Sequence, residues 1–148
     1  LNQARRSAHL ADGLTLVDQP LDAELMHREA QALLGEQDFS AFRAASCQSK
    51  TAMRNIHFAN VSRRGRYVVL DIGGNAFLHH MVRNIAGVLI AVGSGQMPPG
   101  WTQQVLDSRD RNQGGGTAKP SGLYLVDVSY PSHYDLPESP IGPDFLPC

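Results

Sequence analysis

At 148 residues, with 42% hydrophobic and 18% charged side chains, the chain has the size of one domain. Such a domain buries roughly two-thirds of its unfolded surface without disulfides or metal. That composition argues against disorder, and the absence of a long apolar run and of a charged-then-apolar leader at Leu1 against a membrane span and a secretory signal, so a soluble globular domain is expected. The formal net charge of −1 excludes little, while the two cysteines, Cys47 and Cys148, make neither a framework nor a CxxC pair and favour a reducing compartment, the cytoplasm.

In chain order, a short strand is expected at 14–17. After Pro20, Leu21, Leu25, Met26, Ala30 and Leu33 recur at helical spacing until Gly35, which predicts a helix over 21–34. Residues 37–49 have no clear period and are expected to form a loop with at most one helical turn. The alternation of Ile56, Phe58 and Val61 suggests a strand over 53–62. Arg63-Arg64-Gly65-Arg66 supplies a turn, and 67–72 is rich in β-branched and apolar residues, so the three segments read as a hairpin with a basic tip, broken by Gly73-Gly74-Asn75. Phe77, Met81, Ile85, Val88, Leu89 and Val92 lie on one stripe and predict a central helix over 76–92, stopped by Gly93-Ser94-Gly95. A shorter helix follows Pro98-Pro99-Gly100 through Trp101, Val105 and Leu106, then a mobile loop to Gly116. Alternation from 123 to 130, with Leu123, Leu125, Val128 and Tyr130 inward or stacking, predicts a last strand before a proline-rich acidic tail over 131–148. The resulting β-α-β-β-α-α-β order predicts an α+β domain over 1–130, an antiparallel sheet with helices on one face, resembling ferredoxin-like and RNA-recognition folds. No internal repeat is found.

Charge is segregated. Residues 1–39 carry Arg5, Arg6 and Arg28 against seven acids, and 121–148 carry four acids and no base. From Arg43 to Lys119, by contrast, ten bases (Arg43, Lys50, Arg54, Arg63, Arg64, Arg66, Arg83, Arg109, Arg111, Lys119) face three acids. Eleven of the thirteen bases are arginine, whose planar fork suits phosphate and base stacking, so this segment could bind a polyanion as readily as form a solvated face. Adjacent His79 and His80 invite a zinc hypothesis, but neighbours on a helix point about 100° apart and nothing completes four ligands, so no metal is expected. No phosphate loop and no Gly-x-Ser-x-Gly elbow occurs. Arg83 sits in a helix whose other face is strongly apolar. Partly buried, it requires an anionic partner, for which a carboxylate outside this segment is a candidate; the alternative is a surface arginine reaching past its helix neighbours to water.

Three blocks carry a resemblance: Asn75-Ala76-Phe77-Leu78-His79-His80-Met81-Val82-Arg83-Asn84-Ile85-Ala86-Gly87, then Val92-Gly93-Ser94-Gly95, then Thr117-Ala118-Lys119-Pro120-Ser121-Gly122-Leu123-Tyr124-Leu125. With Asp38-Phe39-Ser40-Ala41-Phe42-Arg43 and Tyr130-Pro131, the chain resembles the C-terminal half of the tRNA pseudouridine synthase A family. The resemblance implies a cofactor-free isomerase, a cytoplasmic homodimer acting on tRNA with no membrane association. Such an enzyme detaches uracil from its ribose in the anticodon stem-loop, rotates it and rejoins it through carbon. The family's nucleophilic aspartate belongs to an Arg-x-Asp-x-Gly-type motif of the N-terminal half, and neither Arg109-Asp110 nor Leu70-Asp71-Ile72-Gly73 fits it, so the chain alone is expected to be inactive. The resemblance places Arg83 opposite that aspartate and Leu123 against the target base. Arg43, Lys50, Arg54, Arg63, Arg64, Arg66, His79, His80, Asn84 and Lys119 are the candidate RNA contacts, with the Cys47-Gln48-Ser49-Lys50 loop near the RNA. A non-catalytic RNA-binding module, for which Phe58 and Tyr67 are a thin set of stacking residues, and a metal-dependent hydrolase using His79 and His80 are the rivals.

Overall fold

The computed structural model describes residues 1–3, 12–136, 142–143 and 145–146. Arg5 and Arg6 of the acidic leading segment, and Pro137, Glu138, Pro140, Asp144, Pro147 and Cys148 of the tail, lie outside the described residues. The fold is α+β: an antiparallel sheet of three strands, β1 (Gly35–Asp38), β2 (Met53–Arg64) and β3 (Tyr67–Gly74), in the order β1-β2-β3. The helices α1 (Ala23–Ala30), α2 (Met81–Gly93) and α3 (Trp101–Ser108) accompany it. Asp22 caps α1 by accepting a hydrogen bond from the Leu25 N–H at 2.9 Å, and the helix tightens into a 3-10 turn at Gln31–Leu33, where a single helix over 21–34 was expected.

The core joins Met26, Ala30 and Leu33 to Phe39, Phe42, Ile56, Ala59 and Val61, and to the inner stripe of α2, where Met81, Ile85, Val88 and Leu89 are fully or almost fully buried. Ile56 and Ala59 are three residues apart, so strict alternation cannot turn both inward. The ladder resolves this with a bulge: Ile56 opposes Gly74 and Phe58 opposes Gly73, leaving His57 as the extra residue. In consequence Phe58 is 43% exposed. Its ring lies across Gly73, where a Cβ would come within 2.3 Å of it, so β3 runs through Gly73 and Gly74 instead of breaking there.

Further expectations are corrected. β1 starts at Gly35, read only as a helix stop, and takes the first two residues of the segment read as a loop, while the one helical turn allowed there is the 3-10 turn Ser40–Phe42. α2 starts at Met81, not at 76, because His80 adopts a left-handed backbone (φ 60) that cannot belong to an α-helix, and the first helical bond runs from the Asn84 N–H to the His80 carbonyl. Residues 14–17 contribute one parallel bridge, Val17 to Asn2, and no strand. Residues 123–130 belong to no ladder among the described residues, and Leu123, Leu125, Val128 and Tyr130 are 50–82% exposed instead of facing inward. From the tail, the Phe145 ring returns to Tyr67 and Tyr124, with ring centroids 6.5 and 6.0 Å apart. No helix among the described residues is long and apolar enough to cross a membrane.

Candidate active site

The inner stripe of α2 faces the core, which turns Arg83 toward the side of the helix flanked by β3. There a cleft of about 530 Å³ is lined by Val82 and Arg83 from α2, Leu70 and Asp71 from β3, and Lys119 and Leu123 from the extended segment after α3. Arg83 is half-buried. Its Nε–H donates to the Ala118 carbonyl at 2.8 Å, and the Ala118 N–H donates back to the Arg83 carbonyl at 3.0 Å. Among the described residues no carboxylate, Asp71 included, stands within ion-pairing distance of Arg83. A guanidinium fixed at Nε and lining a cleft, with its Nη groups free of carboxylate, is disposed to receive an anion from outside these residues.

Leu123, on the same cleft, is held from below: Thr15 donates its hydroxyl to the Ser121 carbonyl, and Tyr124 donates its own to the Gly13 carbonyl at 2.8 Å. The structure therefore brings Arg83, Lys119 and Leu123 together, with Arg64 at the same cleft's edge.

The remaining candidates differ in exposure. Lys50, Arg63, Arg64, Arg66, His79, His80 and Lys119 are exposed. Arg63 nevertheless ties the hairpin to the start of the chain, donating to the Leu21 carbonyl at 2.7 Å and to Asn2 Oδ1 at 3.0 Å. Arg43 closes its own loop by donating to the Cys47 and Ser49 carbonyls, and Arg54 donates to Ser49 Oγ at 2.8 Å; both are half-buried and their forks are partly spent on that loop. Asn84 faces the core. It is 2% exposed, donates to the Phe42 carbonyl at 2.7 Å, and accepts from Arg111 and Thr117, so it has no surface to offer RNA.

His79 and His80 precede α2 instead of lying within it, and their rings stack at 3.9 Å instead of diverging, so helical divergence is not what separates them. Among the described residues no three His, Cys, Asp or Glu side chains group to hold a metal ion. Desolvation, with His79 and Arg83 nearby, lowers the His80 pKa and favours its neutral form. Ser46 Oγ lies 3.2 Å from His79 Nδ1, and the Ala44 N–H donates to the His79 carbonyl, so the 43–49 loop is docked on the approach to α2. Arg111, counted only among the bases, and Thr117, named only in a motif block, were not foreseen as partners of Asn84: they meet it from 27 and 33 positions away, and no spacing rule links such separations.

Comparison with known proteins adds a family. Residues 30–131 match the model of the tRNA pseudouridine synthase family. The tRNA pseudouridine synthase A of Haemophilus influenzae (strain PittGG) is 59% identical over 141 residues, covering 95% of this chain and 52% of that protein. Its counterpart in Actinobacillus succinogenes is 57% identical over 142 residues, covering 96% and 54% respectively. That of Shewanella baltica (strain OS155) is 54% identical over 145 residues, covering 98% and 56%. The chain spans about half the length of the curated relatives it matches.

Proposed function

The chain belongs to the tRNA pseudouridine synthase family, and from this premise we propose that it is the C-terminal half of an isomerase converting uridine to pseudouridine in the tRNA anticodon stem-loop. The reaction exchanges the N1–C1′ bond of uridine for a C5–C1′ bond. The hydrogen at C5 leaves as a proton and N1 ends protonated, so atoms and electrons balance without oxidant or cofactor.

In this reading the nucleophilic aspartate comes from an N-terminal half and enters the cleft opposite Arg83. The guanidinium lowers the pKa of that carboxylate and fixes its direction of attack, while Leu123 walls the flipped uracil. Arg64, Arg66, Lys50 and Lys119 supply phosphate contacts, with His79 and His80 beside them. Family resemblance carries the rest: a homodimer, acting on cytoplasmic tRNA.

One observation carries this reading. Arg83 and Leu123, placed by separate sequence blocks forty residues apart, converge on one cleft of about 530 Å³, and Arg83 has no carboxylate partner among the described residues. The module reading is disfavoured by the aromatics it requires: Phe58 folds over Gly73, and Tyr67 is engaged by Phe145 and by the Arg66 guanidinium 5.6 Å from its centroid. The test is tritium release from tRNA labelled at uracil C5. The 148-residue chain alone is expected to release none and the chain joined to the N-terminal half to release it; turnover by the chain alone overturns the assignment of the nucleophile.

A further inference from the structure

The residue next to Arg83 raises a problem of its own. Asn84 sits among Met81, Ile85 and Val88, all 0–1% exposed, on a stripe where an apolar side chain would pack without needing partners. A buried amide is tolerated when its polar atoms are hydrogen-bonded, and here both Nδ2 and Oδ1 are engaged by segments distant in sequence. Its Nδ2 donates to the Phe42 carbonyl, and its Oδ1 accepts from the Thr117 hydroxyl at 2.6 Å and from Arg111 Nη2 at 3.0 Å. Arg111 Nη2 also donates to Thr117 Oγ1 at 2.7 Å, closing a triangle, while its Nη1 donates to the Gly115 carbonyl at 3.0 Å.

Every group in this triangle bears on residues 115–118. Those residues cross α2 at Gly87, and the approach is so close that a Cβ at Gly87 would meet the Gly116 carbonyl oxygen at 2.0 Å. The next residue, Ala118, makes the two bonds that hold Arg83. Thr117 is therefore anchored to the core on one side and, through its neighbour, to the guanidinium on the other.

We propose that Asn84, Thr117 and Arg111 form a positioning network for Arg83: by clamping residues 115–118 onto α2 at Gly87 they fix the Ala118 carbonyl, and through it the direction of the guanidinium. The chain runs on from Ala118 to Leu123, so the same clamp sets the base-facing wall relative to Arg83. The proposal rests on the reading of Arg83 as the partner of a nucleophilic carboxylate. It adds that Arg83 is aimed by groups that touch neither substrate nor nucleophile.

The experiment is a double-mutant cycle in the intact polypeptide, this chain with its N-terminal half, read by single-turnover tritium release and by tRNA affinity. Thr117→Val keeps the side chain's shape and removes its hydroxyl. It is expected to slow release about tenfold or more, the scale of a misplaced reacting group, with tRNA affinity changed less than about twofold and the rate restored by Thr117→Ser. In an Arg83→Ala background, Thr117→Val is expected to cause no further loss. Gly87→Ala, which displaces the segment from the helix side, repeats the cycle should Thr117→Val fold poorly. Equal losses with Arg83 present and with Arg83→Ala, or no loss from Thr117→Val where Arg83 is present, overturn the proposal and leave the reading of Arg83 intact. Normal turnover by Arg83→Ala itself overturns that reading first.

Discussion

The residue that precedes helix α3, Gly100, has a φ of 88 and no side chain to cap the helix. Its cap comes from another helix: Glu29 on α1 accepts from the Gly100 N–H at 2.6 Å and from the Thr102 N–H at 3.1 Å. Removing it with Glu29→Ala strands two N–H groups at a helix N-terminus. Losses of N-terminal caps run at about 1 kcal/mol within a range of about 0.5–2, and the favourable charge at the helix end is largely the same interaction. For a domain of this size, 1 kcal/mol is worth about 2–4 °C in Tm, so Glu29→Ala is expected to lower Tm by about 2–4 °C at pH 7, and by about 1–8 °C across that range. Glu29→Gln keeps one acceptor and should lose about half as much. Burial pushes the Glu29 carboxyl up, but the N–H bonds from Gly100 and Thr102 and the charge of Arg28 more than offset it and hold the pKa below its ordinary value. A depressed carboxylate contributes stability that is full above the unfolded value, about 4.3, and is lost as pH falls through the folded one. Melting by circular dichroism should therefore show the gap between wild type and Glu29→Ala closing as pH drops below about 4. An equal gap at pH 7 and pH 3 would refute the capping argument.

Leu123 is half-exposed, so Leu123→Ala should leave Tm within about 1–2 °C while depressing pseudouridine formation in the intact polypeptide; a large loss of stability would make it a packing residue instead. Arg64→Glu with Arg66→Glu, both at the exposed hairpin tip, should weaken tRNA binding and flatten its dependence on salt, by about one unit of slope per phosphate contact removed; an unchanged slope places the tRNA surface elsewhere. Arg63→Glu should differ from both by lowering Tm, because it strips the donors from the Leu21 carbonyl and Asn2; a melt unchanged from wild type contradicts that tie.

The parts of the fold legible in the sequence are those whose signal is local. The α1, α2 and α3 stripes and the β2–β3 hairpin announce themselves by periodicity and by turn residues. β1 does not, because Gly35-Glu36-Gln37-Asp38 is an edge strand without an apolar residue, defined by pairing with residues 53–56. The start of α2 was misplaced because Phe77 continues the stripe on paper, whereas in the chain Leu78 is the buried residue and Phe77 is 39% exposed. Residues 123–130 show the converse: a strand pattern is present, but no strand among the described residues pairs with it. At the site, Arg83 and Leu123 were reached through motif resemblance, and the wish of a half-buried arginine for an external anion through physics alone. Asn84 could not be placed from sequence because its helix position fits either surface or core, and only partners 27, 33 and 42 positions away decide between them.

The measurement that bears most directly on the account is the split between turnover and tRNA affinity for Arg83→Ala and Arg83→Lys in the intact polypeptide. Arg83→Ala removes a charge-stabilising group from a preorganised site and should cut turnover by about two to three orders of magnitude. Arg83→Lys keeps the charge but loses the planar fork that reaches both Ala118 and a carboxylate, and should fall between that variant and wild type. Affinity for tRNA should change far less in both. Normal turnover by Arg83→Ala with weakened tRNA binding would make Arg83 a phosphate contact and contradict its assignment as the partner of the nucleophile.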